Sequence, residues 1–178
     1  MDSVRRVSQE FPDARFVTML EDGNAAGDHM QGVIDACVSL ADVLIDPEIE
    51  AGAGKLNVVG IKPIATNNER NMTYLESILG RMGMSINCRF IGGTDVDSIE
   101  GFHKAKVSVL ANTDRFAQML ASFLTDEHGA KVMENPLAAG IVGTMSWIRE
   151  LAALEGLDVD DLLDELDDEY RRELAPLR

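Results

Sequence analysis

Aromatic residues make up only 5% of this chain, with a single Trp, and cysteine occurs only twice, as Cys37 and Cys88. Two cysteines exclude a disulfide framework. No CxxC, HxxxH or HExxH spacing joins them to His29, His103 and His128, so no metal site is legible. A GxSxG elbow is also missing, which removes the usual signature of a serine hydrolase. Lys and Arg are scarce, 16 against 31 Asp and Glu, for a formal net charge of −15. A field of that sign repels phosphate backbones and anionic lipid, so neither nucleic acid nor membrane is an expected partner. No apolar run reaches the roughly 18 residues of a membrane span. Residues 1–10 are polar, unlike a secretory leader, and a cytoplasmic location is the expectation.

What is present is a 178-residue chain, 46% hydrophobic and 26% charged, long enough to build a core without staples. Part of the acidity is local, because residues 158–173 carry nine carboxylates against two Arg. With Val159, Leu162, Leu163, Leu166 and Tyr170 at helical spacing, this stretch reads as a final helix over 158–174 with a solvated acidic face. No internal repeat or long linker divides the chain, so residues 1–178 are expected to form a single α/β domain with a core over about 15–157.

Five short runs rich in strand formers stand at 15–20, 55–61, 84–91, 106–111 and 130–134. Helical periodicities separate them. Residues 29–45 place Met30, Val33, Ile34, Cys37, Ala41 and Leu44 on one face, ending near Asp46-Pro47. Thr66 and Glu69 have the spacing of a capping box ahead of Met72, Leu75, Ile78 and Leu79. Thr94 with Asp97 predicts a short capped helix, residues 113–128 a longer one closed by Gly129, and Trp147, Ile148 and Leu151 another. Strands alternating with helices predict a parallel sheet of four to five strands with helices on both faces, Rossmann-like or flavodoxin-like. Ligands of such folds sit beyond the carboxyl ends of the strands. The loop at 23–28 follows a strand and opens a helix, but it is neither GxGxxG nor a P-loop. Its neighbours Glu21 and Asp22, with Asp28 inside it, disfavour phosphate.

Three stretches carry a family resemblance. Residues 23–32 (GNAAGDHMQG) resemble a strand-then-glycine loop of the form PGFxGSHxxG, with Gly27, His29 and Gly32 in place. Residues 104–110 (KAKVSVL), with Glu127, His128, Gly129 and Ala130 beyond the next helix, resemble a KxKLNLV strand and an E-x-x-G-(I/V)-P segment. Gly140, Gly143, Thr144, Trp147 and Ile148 resemble a G-x-x-G-T-x-x-(F/L)-(I/L) segment. The family that these resemble is the nitrogenase component 1 type of oxidoreductases. It comprises molybdenum–iron protein subunits, the scaffold proteins that assemble their cofactor, and protochlorophyllide reductase subunits.

The resemblance implies the middle α/β domain of a longer subunit, inactive alone and contributing a wall to a cavity for an iron–sulfur metallocluster or a tetrapyrrole. It implies a second component 1 subunit and an ATP-dependent iron–sulfur reductase as partners. Lys62, Thr66, Gly92, Gly93, Asn112 and Arg115, in loops after strands, are the cavity-facing candidates. In catalytic molybdenum–iron α-subunits a cysteine holds the cofactor just after the KxKLNLV strand. Asn112 stands at that place here, and its amide does not replace a thiolate on iron, so a β-like, scaffold-like or tetrapyrrole-reductase-like member fits better. No cofactor is expected on the isolated chain, and its uncovered domain surfaces predict self-association. The reading from a different class is a non-catalytic domain of Rossmann-like fold that binds a small molecule or a protein.

Overall fold

The structure, a computed structural model, describes residues 2–19, 29–62, 66–137 and 139–177. In chain order its elements are α1 (Asp2–Glu10), α2 (His29–Leu44), β1 (Gly52–Val59), α3 (Asn68–Arg81), β2 (Ser85–Phe90) and α4 (Val96–Glu100). A short 3-10 turn (Phe102–Lys104) leads into β3 (Ala105–Leu110), α5 (Arg115–His128), α6 (Ile141–Glu155) and α7 (Asp160–Leu174). The sheet is parallel with strand order β2-β1-β3. From β1 the chain moves to one side to make β2, then crosses to the other side to make β3. The carboxyl end of β1 is therefore the point where the connections diverge, the usual place for a crevice in an open α/β sheet.

Strand alternation divides the core into two layers. Leu56 and Val58 of β1 with Val107 and Val109 of β3 pack against α3, α6 and α7. Val59, Cys88 and Phe90 pack on the opposite side against α2, α4 and α5. The second layer also holds polar groups. Asn57, fully buried, donates from Nδ2 to the Phe102 carbonyl at 2.9 Å and accepts from Asn87 Nδ2 at 2.9 Å. Asn87 also donates to the Gly101 carbonyl, so the pair ties the turn at 101–102 to the sheet. Among the described residues no helix is long and apolar enough to cross a membrane.

The parallel α/β class with helices on both faces holds, but the described sheet has three strands rather than four or five. Residues 15–19 enter no strand. Phe16 and Met19 are more than a third exposed, and Arg15 is held instead by Glu100 of α4 and the Val43 carbonyl of α2. Leu20 and the loop at 23–28 lie outside the described residues. The run at 130–134 makes only an isolated parallel bridge, Val132 to Ser108. Beyond Met133 the pairing is interrupted, because the Glu134 N–H donates to Glu150 on α6 at 3.1 Å and Pro136 has no N–H to give, and it resumes only as a single bond from the Leu137 N–H to the Leu110 carbonyl at 2.8 Å.

Two caps also differ from expectation. Thr66 sits in the turn before α3, where Asn67 is the N-cap without a side-chain bond, and Glu69 reaches across to Arg89 on β2 instead of back to the cap. At α4 the cap is Asp95, whose carboxylate accepts from the Ser98 N–H at 2.7 Å, rather than Thr94.

Candidate functional site

A cavity of about 500 Å³ opens beyond the carboxyl ends of β1 and β3. Ile61 and Lys62 enter it from the end of β1, Ala111 and Asn112 from the end of β3, and one face of α3 forms a wall with Asn68, Asn71, Met72, Leu75 and Ile78. Those α3 positions recur at helical spacing, so one stripe supplies both an amide rim and an apolar floor. Leu137, Thr144 and Trp147 close the opposite side, from α6 and the segment before it. Glu150 shapes this side from behind, accepting from the Glu134 N–H and from Asn135 Nδ2 at 2.6 Å.

The polar end is built by hydrogen bonds between the two strand ends. Asn112 Nδ2 donates to the Gly60 carbonyl at 3.1 Å, and its Oδ1 accepts from the Asp114 N–H at 3.0 Å. Asp114 caps α5 by accepting from the Ala117 N–H at 3.0 Å, and it pairs with the Lys62 ammonium at 2.5 Å. Burial alone would push the Asp114 carboxyl up. Lys62 and the N–H groups of Ala117 and Phe116 outweigh it and hold the group below the ordinary carboxylate value. Asn68 Nδ2 donates to the Lys62 carbonyl, which fixes the backbone from the α3 side.

Gly60 makes the close approach of β1 and α5 achievable. Its φ is 81°, and a Cβ there would lie 2.5 Å from the Ala117 Cβ.

Of the candidates named from sequence, the fold brings Lys62 and Asn112 together at the cavity. Thr66, Gly92, Gly93 and Arg115 are not among its described lining residues. Thr66 and Arg115 are exposed. Gly92 is buried behind the cavity, where a Cβ would lie 2.5 Å from the Cβ of Ile61, and Gly93 turns the chain at φ 78°. The residues that loop-based reasoning left out are the α3 stripe and Trp147. Their signal was present in the period of Asn68, Asn71, Met72, Leu75 and Ile78, which reads equally as core facing a sheet.

The donor set limits what this wall can hold. No Cys, His, Asp or Glu is among the described lining residues. Cys37 and Cys88 lie in the opposite core layer, and burial pushes both thiols up to about 11, so they are neutral near pH 7. Among the described residues no group of three or more His, Cys, Asp and Glu is placed to hold a metal ion. These residues do not fit the ligation of an iron–sulfur cluster, which takes thiolates.

The fold itself has a counterpart of known structure. A solved structure described as "Nitrogenase Cp1 at pH 5" superposes with a TM-score of 0.63 at 16% sequence identity over 86% of this chain. The match covers 30% of that protein's chain, so the present sequence spans less than a third of its length. No curated protein sequence matches the chain at a significant level. The family model of nitrogenase component 1 type oxidoreductases, in contrast, aligns with residues 2–177. That is nearly the whole length, and the chain belongs to the nitrogenase component 1 type oxidoreductase family.

Proposed function

We propose that this chain is a domain of a nitrogenase-type oxidoreductase subunit and contributes one wall of a cofactor cavity, without catalysing a reaction alone. The observation that carries this reading is the cavity itself, set where the connections diverge at the carboxyl end of β1, in a chain whose family match runs over 2–177. The described lining residues include one Lys, three Asn amides and the hydroxyls of Tyr74 and Thr144 but no nucleophile–base pair, so redox chemistry would come from a group bound there or nearby. A metallocluster in this position would take its thiolates from other domains, and a tetrapyrrole would need only shape and hydrogen bonds from this wall. The remaining walls, a second component 1 subunit and an ATP-dependent iron–sulfur reductase would complete the assembly, in the cytoplasm.

The experiment is co-expression of this chain with a second component 1 type subunit and an ATP-dependent iron–sulfur reductase of the family. Co-purification followed by ATP-dependent substrate reduction is the expected result. Reduction of a substrate by the 178 residues alone, with dithionite or NADH, overturns the non-catalytic assignment. Failure to join any such partner while binding a small molecule tightly moves the function to a free-standing binding domain.

A further inference from the structure

We propose that a second copy of this chain covers α1, so that two copies pair through antiparallel α1 helices. This goes beyond the cavity reading and does not depend on it. From Ser3 to Met19 no residue is buried, although α1 and the turn after it carry apolar side chains. Val4, Val7 and Phe11 recur at i, i+3 and i+7, which places them on one stripe. Phe11 stays on that stripe because its N–H continues the helical bonding to the Val7 carbonyl at 3.0 Å. Val7 is 39% exposed and Phe11 58%. Ser8, at the edge of the stripe, turns its hydroxyl back to the Val4 carbonyl at 2.9 Å, so its donor is already used.

A helix of nine residues is marginal in water by itself and gains its stability from burying an apolar face. Among the described residues nothing buries this one. Arg15 holds the base of the segment, through Glu100 of α4 and the Val43 carbonyl of α2, so α1 is tethered while its stripe stays uncovered.

Charge selects a second copy as the cover. Residues 1–19 contain three Arg and three acidic residues, which leaves 13 basic against 28 acidic residues in 20–178. Two copies that repel each other elsewhere meet at a neutral segment here. The stripe is also self-complementary. When two α1 helices lie antiparallel about Val7, Val4 of one copy faces the partner's Phe11, and like flanks of the two helices face each other. Arg6 and Glu10 stand four residues apart on the same flank, so a two-fold axis brings Arg6 to the partner's Glu10 twice. Among the described residues neither has an ion-pair partner within its own chain.

Sedimentation equilibrium of the 178-residue chain should show a species of twice 19.4 kDa. Phe11→Ser should weaken the pairing about tenfold, and the exposure of Phe11 means that circular dichroism should be unchanged. Arg6→Glu and Glu10→Arg should each weaken it about tenfold, because each brings like charges together. An equimolar mixture of these two variants should pair as tightly as the parent chain, since opposite signs then meet in both contacts. A monomer at every concentration up to about 1 mM overturns the proposal. So does a dimer that Phe11→Ser leaves equally tight, which moves the contact to another surface, and so does a mixture of the charge variants that stays as weak as each alone. A chain that is monomeric by itself but pairs through α1 with a different component 1 type subunit also overturns it and assigns the stripe to that subunit.

Discussion

The two faces of the sheet are built from the same three strands but do different things. On the α2, α4 and α5 side, Phe90 and Phe102 meet edge to face at 5.8 Å, and Asn57, Asn87 and Ser108 knit strands to the 3-10 turn. Among the described residues these contacts tie that side together. On the α3, α6 and α7 side, packing is as dense at Leu56, Val58, Leu79 and Leu151, all fully buried, but the layer parts toward the carboxyl end into the cavity. Both layers are packed at their centres, and the opening lies where α3 and α6 separate above the strand ends. This is the distribution expected when a rigid scaffold presents a site.

Truncations should expose the contrast most strongly. Phe90→Ala, on the α2, α4 and α5 face, should cost about 4 kcal/mol, while Leu137→Ala at the half-buried cavity wall should cost about 1 kcal/mol or less. Urea denaturation of both variants measures the gap, and equal costs would mean that the cavity is a packed region of the core.

Next in size is Gly60→Ala. A methyl there meets Ala117 and forces an unfavourable positive φ, for a loss of about 2–3 kcal/mol and a visible disturbance of both Asn112 and Lys62 in the spectrum of the cavity residues. Asn57→Ala should follow at about 2 kcal/mol, because it removes a fully buried donor and strips Asn87 of an acceptor. Its effect should fall on the α2, α4 and α5 face alone, with the cavity residues unperturbed in an amide NMR spectrum, and shifts at Lys62 or Asn112 would show that the two faces are coupled through β1.

The smallest expected effect is on pH. Burial holds the His103 imidazole below its ordinary value, with the charge of His128 acting in the same direction and Asp46 opposing both. A histidine depressed in the folded state contributes stability above its unfolded pKa of about 6.5 and loses it as pH falls toward the folded value. Replacement by Gln should therefore flatten the loss of stability between about pH 7 and pH 5. Asp114 acts lower: its depressed carboxyl contributes stability above about pH 4 that disappears on further acidification. Thermal melts across pH, with Asp114→Asn beside His103→Gln, separate the α2, α4 and α5 face from the cavity end.

How much of this was legible in advance depends on how local each signal is. The helices at 29–44, 115–128 and 160–174 follow from apolar periodicity and, at Gly129, from a residue able to take φ 65°. The capping roles of Thr66 and Thr94 were misassigned because neighbouring Asn67 and Asp95 compete for the same backbone position, and a one-residue shift changes the cap without changing the pattern. The runs at 15–20 and 130–134 have strand composition, but a strand is a pairing, and composition does not say whether a partner edge is free. Lys62 and Asn112 could be named because they follow strands. The α3 stripe could not be assigned to a cavity, since Met72 and Leu75 look the same whether they face a sheet or an opening.

By itself, then, the sequence determined the class of fold, the acidic character, the absence of a thiolate set near the strand ends and the family resemblance that the full-length match bears out. Each of these rests on residue type and on spacing within a few turns of chain. Only the tertiary structure decided that residues 15–19 stay out of the ladder and that 130–134 meets it through a single bridge, that Asp114 holds Lys62, and that α3 and α6 stand apart above β1 to leave about 500 Å³ open. Those facts depend on contacts between residues far apart in the chain, for which no local period carries a signal.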